Sequence, residues 1–185
     1  MLKVFVILAP GFEEIEALAP ADVLKRAGYE TILVSIASEL TVTGSHGITV
    51  TADTLFKDAD FSDALMLVLP GGTLGTKNLA EYEPLTKLIC EFAQEEKFLA
   101  AICAAPSILG KLGLLNGHAA TCFPGYEDCL EGADVKTDNV VVSGKYITAR
   151  GAGVSVGFGL RLLEALLGRS QAENMANKMI FTYPF

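Results

Sequence analysis

The sequence predicts an α/β fold, a doubly wound and mostly parallel sheet between helices, and three observations predict it. Short apolar runs rich in β-branched residues recur at 3–9, 30–37, 64–72 and 98–103, the pattern of strands buried on both faces. Helical stripes fall between them, so strand and helix alternate as in βαβ units, whose right-handed crossovers set successive strands side by side. With 185 residues, 51% of them hydrophobic, the chain can fill one core and is short for two, so residues 1–185 are expected to form a single domain.

The first strand, KVFVILA (3–9), is broken by PGF. In the stretch EEIEALAPADVLKRAG that follows, Ile15, Leu18, Ala19, Val23 and Leu24 form a helical stripe, which Gly28 ends at a C-cap position. ETILVSIA (30–37) completes a βαβ opening, and ELTVTGSHGITVTAD (39–53) alternates around GSHG as a short hairpin. ALMLVLPGG (64–72) is a third core strand running into a glycine turn, and EPLTKLICEFAQEEK (83–97) is a helix with one apolar face. FLAAIC (98–103) supplies the fourth core strand and AAPSILGKLGLL the helix after it. NVVVSGKYITARG (139–151) reads as a hairpin, followed by helices over 153–168 and 170–181, the last started by Ser170 and Glu173 in capping-box spacing.

Composition narrows the function. A formal charge of −8 with no Lys/Arg cluster opposes nucleic acid. The apolar run before Pro10 is too short to span a membrane and lacks a small-residue cleavage site, so a cytoplasmic protein is expected. Cys90, Cys103, Cys122 and Cys129 are irregularly spaced, and His46 and His118 lie far apart, so neither a disulfide framework nor a metal site is expected.

In doubly wound sheets the ligand site lies beyond the carboxyl ends of the strands, which here carry APGFEEIE, LPGGTLG, ICAAPS and TARGAG. Cys103 sits where a buried strand gives way to a helix. Such a corner can aim a side chain over the sheet, and the unpaired amides of the helix start favour a thiolate. The alternative is a buried structural thiol, since free cysteine is among the most buried residue types. Glu13 and Glu14 read as a solvated helix start. Glu16, flanked by Ile15 and Ala17, can turn toward the sheet edge, where desolvation would keep it protonated beside the sulfur and make it a general acid. Gly71 and Gly72, with Ala104, can present backbone N–H groups as an oxyanion cradle, or form an ordinary turn. GAGVSVG (151–157) has neither the spacing nor the downstream acid of a dinucleotide loop.

LAPGFEEIEA, DVLKRAG, VLPGG, NLAE, AAICAAPSIL and ARGAGVSVGFGL, in this order over essentially the whole chain, resemble the ThiJ/PfpI superfamily. The resemblance is greatest to the branch holding the parkinsonism-associated protein deglycase and the bacterial chaperone YajL. It implies a flavodoxin-like fold akin to class I glutamine amidotransferases, a reactive cysteine at Cys103, a protonated glutamate at Glu16 and the glycine pair at Gly71 and Gly72. It also implies a homodimer, with His46, where many relatives have arginine, near the partner's site. Phe123 occupies the place of a histidine that approaches the cysteine in some relatives, so no Cys-His dyad is expected. Ala104 stands where PfpI-type peptidases carry histidine, and no downstream triad suits an amidotransferase. Two activities remain: cofactor-independent glyoxalase or deglycase chemistry on methylglyoxal-like aldehydes or glycated protein side chains, and a redox-sensing chaperone using the same thiol.

Overall fold

The computed structural model describes residues 3–182. In chain order its elements are β1 (Lys3–Leu8), α1 (Glu14–Arg26), β2 (Glu30–Ser35), β3 (Thr41–Thr43), β4 (Thr49–Thr51), β5 (Thr54–Leu55) and β6 (Ala64–Leu69). Then come α2 (Thr73–Glu81), α3 (Glu83–Gln94), β7 (Phe98–Ile102), α4 (Pro106–Lys111), β8 (Ala119–Ala120) and β9 (Asp134–Val135). The chain closes with β10 (Val140–Ser143), β11 (Tyr146–Ala149), α5 (Ser155–Leu167) and α6 (Arg169–Lys178).

Seven strands form the central sheet in the order β10-β11-β7-β6-β1-β2-β5, parallel throughout except where β10 returns as a hairpin on β11. The alternation of β1 shows why both faces must be covered. Val4, Val6 and Leu8 pack with α1, α5 and α6, and Phe5 and Ile7 pack against α2, α3 and α4. The sheet is thus sandwiched, as its uninterrupted apolar runs require. The flavodoxin-like α/β architecture expected from the sequence is the one observed.

On the first face, α1 and α5 approach closely: a Cβ on Gly159 would lie 2.8 Å from the Pro20 Cα. Pro20 lies inside α1 without ending it, although proline withholds the N–H that the Glu16 carbonyl would otherwise accept.

Three local expectations change. Residues 73–81 form α2, which the sequence pattern did not indicate. Of its apolar side chains Leu79 alone enters the core, while Leu74 stays exposed, so no stripe marks the helix. Its Gly75 packs so closely on Phe12 that a Cβ would stand 2.6 Å from the Phe12 Cα. The helix expected after Cys103 is a single six-residue segment, α4. Finally, α6 starts at Arg169 after Gly168, whose φ is +84°, so Ser170 falls within the first turn and does not cap it. Glu173 pairs instead with Arg169 at 2.8 Å.

Candidate active site

The carboxyl ends of β1, β6, β7 and β11 converge on Cys103. This residue has φ +65°, a left-handed conformation that a side chain other than glycine adopts only when its surroundings impose it. Two backbone bonds do so here. The Cys103 N–H donates to the Ala149 carbonyl at the end of β11 at 2.9 Å, and the Cys103 carbonyl accepts from the Phe123 N–H at 2.8 Å. The side chain is directed to the α1 and α5 side of the sheet, where it is half-buried.

Glu16 meets it there, fully buried. Its Oε2 accepts from the Gly71 N–H at 2.9 Å, whereas Oε1 is buried with no partner in hydrogen-bond geometry. Gly71 is held by the same crowding, since a Cβ on it would lie 2.6 Å from Glu16 Oε2 and 2.7 Å from Cys103 Cβ. Gly72 has φ +86°, and a Cβ there would stand 2.5 Å from the Gly11 carbonyl.

Burial pushes the Glu16 carboxyl up to about 7, with Glu13 adding to the rise and the Cys103 and Gly71 hydrogen bonds opposing it. The thiol is pushed up to about 12, first by burial and then by the Glu16 charge and hydrogen bond, against the Gly72 and Ala104 amides that favour thiolate. The amides therefore do not ionise the thiol by themselves, contrary to the expectation from its place before a helix. Glu16 and Cys103 titrate as a pair. One proton leaves near neutrality and the second is retained, so a thiolate forms when the remaining proton sits on the carboxyl. Oε1 is the oxygen on which a proton costs least, because it is buried with no donor among the described residues while Oε2 accepts from the Gly71 N–H.

The glycine turn divides its work. Gly71 spends its N–H on Glu16 and is not part of the cradle expected from the sequence, so the amides facing the sulfur are those of Gly72 and Ala104.

Glu14 is not solvated, contrary to expectation, but 5% exposed. Its Oε1 accepts from the backbone of His46 at 2.8 Å and of Ile48 at 3.3 Å, and its Oε2 lies 2.9 Å from His46 Nδ1. Burial by itself would raise this carboxyl, yet the His46 and backbone hydrogen bonds outweigh it and hold the group at about 2. The same contact raises His46. Glu14 thereby latches the β3–β4 hairpin onto the start of α1, and Gly44 is too close to the Glu14 side chain to carry a Cβ. Glu13 caps α1 by accepting from the Glu16 N–H at 2.8 Å.

Glu13, Glu14 and His46 are the one group of metal-ligand types gathered among the described residues, and each is already engaged in the cap or the latch. The half-exposed Phe123 ring lies 3.2 Å from the place a Cβ on Gly151 would occupy, at the same strand ends. Cys122 is buried, which pushes its thiol up to about 11, while Cys90 and Cys129 are half-buried free thiols. Sequence reading missed the Glu14 latch and the Gly71 bond to Glu16. The first had a signal in the histidine of the GSHG turn, and the second had none beyond the glycine itself. No helix among the described residues is long and apolar enough to cross a membrane.

Comparisons with known proteins agree with this geometry. The chain is 34% identical over 180 residues to Protein DJ-1 homolog B of Arabidopsis thaliana, covering 96% of itself and 41% of that protein. It spans under half the length of the two plant relatives it matches. It is 32% identical over 151 residues to a deglycase of Pyrococcus abyssi, covering 80% of itself and 90% of that protein. The structure of oxidized DJ-1 from Toxoplasma gondii superposes with a TM-score of 0.94 at 32% identity, over 99% of this chain and 100% of that one. The family model described as DJ-1/PfpI matches residues 2–165, and the chain belongs to that family.

Proposed function

We propose that the Cys103–Glu16 pair converts methylglyoxal-like α-oxoaldehydes, or their early adducts on protein side chains, to hydroxy acids without a cofactor. The observation that carries this reading is the buried Glu16 carboxyl, one oxygen on Gly71 and the other orphaned, against a thiol on a strained turn. A carboxyl that exchanges its proton near neutrality can serve as both acid and base in one cycle.

The steps balance without an oxidant. The proton shared by the pair resides on Glu16, and the Cys103 thiolate adds to the aldehyde carbon, forming a C–S bond while the π electrons move to oxygen. The Gly72 and Ala104 amides hold the developing oxyanion, which takes the Glu16 proton to give a hemithioacetal. The carboxylate then removes the C–H proton to leave an enediolate, the hydroxyl proton of the hemithioacetal carbon passes to the oxygen of the neighbouring carbon, and the proton held on Glu16 returns to that carbon, leaving a thioester of the hydroxy acid. Water attacks the thioester, the C–S bond breaks, and the hydroxy acid and thiol are released. For methylglyoxal the product is lactate.

The deglycase name of the Pyrococcus relative supports this chemistry. The active form in this reading is a homodimer with His46 near the partner's site. A lactate assay with methylglyoxal tests the reading. Cys103→Ala is expected to fall to background, and full activity in that variant would overturn the proposal.

A second reading is favoured by one observation: the similar Toxoplasma structure is of an oxidized protein. In that reading Cys103 is a redox sensor of a stress chaperone, its sulfinate accepting the Glu16 proton. Mild peroxide followed by intact mass separates the two. Stoichiometric oxygen addition confined to Cys103, in a protein that turns over no aldehyde, would favour the sensor.

A further inference from the structure

A groove of about 400 Å3 opens between α2 and α4. Thr73, Thr76 and Lys77 line it from α2, Ser107 and Lys111 from α4, and Tyr126 closes one end. Four hydroxyl-bearing residues and two lysines thus line one space in a chain whose net charge is −8. Glu81 is the acidic group on the rim. It lies 3.9 Å from Lys77 Nζ, with both side chains about two-thirds exposed, and a pair so hydrated competes weakly with a ligand. Lys111 makes no ion pair among the described residues.

Thr76 is the second, independent observation. The residue is only 6% exposed and its Oγ1 has no hydrogen-bond partner. A buried hydroxyl left unpaired is rare in folded proteins and marks a place where something else supplies the partner. A hydroxyl donor among two lysines suits an oxyanion, which can accept from Thr76 and from both ammonium groups, whereas Ser107 has already given its proton to the Ala104 carbonyl.

Cys103, Glu16, Gly72 and Ala104 do not line the groove, but its walls lead to them along the backbone. Thr73 follows Gly72, and Ser107 Oγ donates to the Ala104 carbonyl at 2.6 Å, so both walls continue from the residues whose amides face the sulfur.

We propose that the α2–α4 groove is a subsite for an oxyanion, a phosphate or carboxylate, borne by the small molecule whose carbonyl reacts at Cys103. The substrate class is then an anionic α-oxoaldehyde in preference to a neutral one. This inference rests on the proposed function for the carbonyl end alone, since occupancy of the groove is measured without turnover.

The test titrates the protein with inorganic phosphate at constant ionic strength, with chloride as control, and follows backbone amides by NMR. Saturable shifts are expected at Thr73, Thr76, Lys77, Ser107 and Lys111. Affinity should weaken by about tenfold in Lys77→Ala/Lys111→Ala, the loss of two charge-assisted contacts. Thr76→Val should weaken it by about threefold without lowering Tm, because the orphaned hydroxyl stabilises nothing in the free protein.

In turnover, the double variant should raise KM for a phosphorylated α-oxoaldehyde by about tenfold and leave kcat/KM for methylglyoxal within about twofold. Shifts that do not saturate, that chloride reproduces, or that persist unweakened in the double variant overturn the subsite. Saturable binding with no turnover of either aldehyde overturns the proposed function and leaves an anion site.

Discussion

Glu14 and Glu16 stand two residues apart in the first turn of one helix, both buried, and their surroundings drive them in opposite directions, to about 2 and about 7. On the hairpin side, two backbone amides and a histidine converge on Glu14, so removal from water is more than offset. On the sheet side, Glu16 has one amide and a thiol, and removal from water prevails. Burial alone does not fix the protonation of a carboxyl, and the number of donors decides the sign. One carboxylate serves as a structural latch and the other as a proton carrier, from the same residue type on the same turn.

Glu16→Gln is the sharpest way to break this contrast, and it should have the largest effect. Methylglyoxal turnover is expected to drop by about a hundredfold, the loss of an acid and base in one residue. The rise of kcat/KM through an apparent value near 7, where the pair gives up its first proton, should vanish, and the thiol, freed of the Glu16 charge that raises it, should titrate as a single group below about 12.

Stability should move the other way. The folded state holds the Glu16 proton from the ordinary 4.5 up to about 7, so this group's contribution is fully present below 4.5 and is lost as pH rises to about 7. The shift corresponds to at most about 3 kcal/mol. Denaturant titrations at pH 4.5 and pH 8 should therefore show Glu16→Gln gaining on the wild type by up to that amount. An unchanged difference between the two pH values would mean that Glu16 ionises in the folded protein as it does in water.

Gly71→Ala attacks the same pair through the backbone. The added Cβ would fall 2.6 Å from Glu16 Oε2 and 2.7 Å from Cys103 Cβ, so one of the two must move. Overpacking of this kind costs about 1–3 kcal/mol, and turnover should fall by at least about tenfold because the displaced groups are the reacting ones. Wild-type activity in this variant would show that the pair absorbs the added methyl without leaving its reactive geometry.

Glu14→Gln should do less, and only to stability. Its folded value lies below 4.5, so its contribution is present above 4.5 and is lost as pH falls toward about 2, the opposite slope to Glu16. With the His46 ring exposed and screened, a loss of about 1 kcal/mol at pH 7 is expected, with turnover within about threefold of wild type. A collapse of activity in Glu14→Gln would mean that the hairpin latch and the reactive pair are one unit.

The sequence revealed the parts of this arrangement that depend on pattern. The four apolar runs placed their strands because a strand covered on both faces must be apolar throughout, and the step from FLAAI to a helix located Cys103. Glu16 was legible because Ile15 and Ala17 flank it. Glu14 was not, since its partners come from a hairpin some thirty residues away and leave no mark on its neighbours. The thiol's environment was half legible: the facing amides follow from the turn, but the burial that outweighs them is a property of the packed molecule. In the same way α2 escaped notice because its position is set by the closeness of Gly75 to Phe12 and not by an apolar stripe.

Phe123→His is the smallest expected change in stability and tests whether one carboxyl suffices for the proton transfers. Position 123 is where the family resemblance puts a histidine in some members, and the Phe123 N–H already binds the Cys103 carbonyl, so the backbone holds whatever side chain it carries. Its ring is half-exposed beside Gly151, so the substitution should leave Tm within about 2 °C, as for a surface change away from the core. An imidazole there can take a proton near neutral pH that Glu16 must otherwise carry twice per cycle. If Glu16 limits the reaction, kcat should rise by up to about tenfold, with a second inflection near the histidine value. If kcat and its pH profile stay as they are, Glu16 alone carries both transfers, and the side chain at 123 takes no part in them.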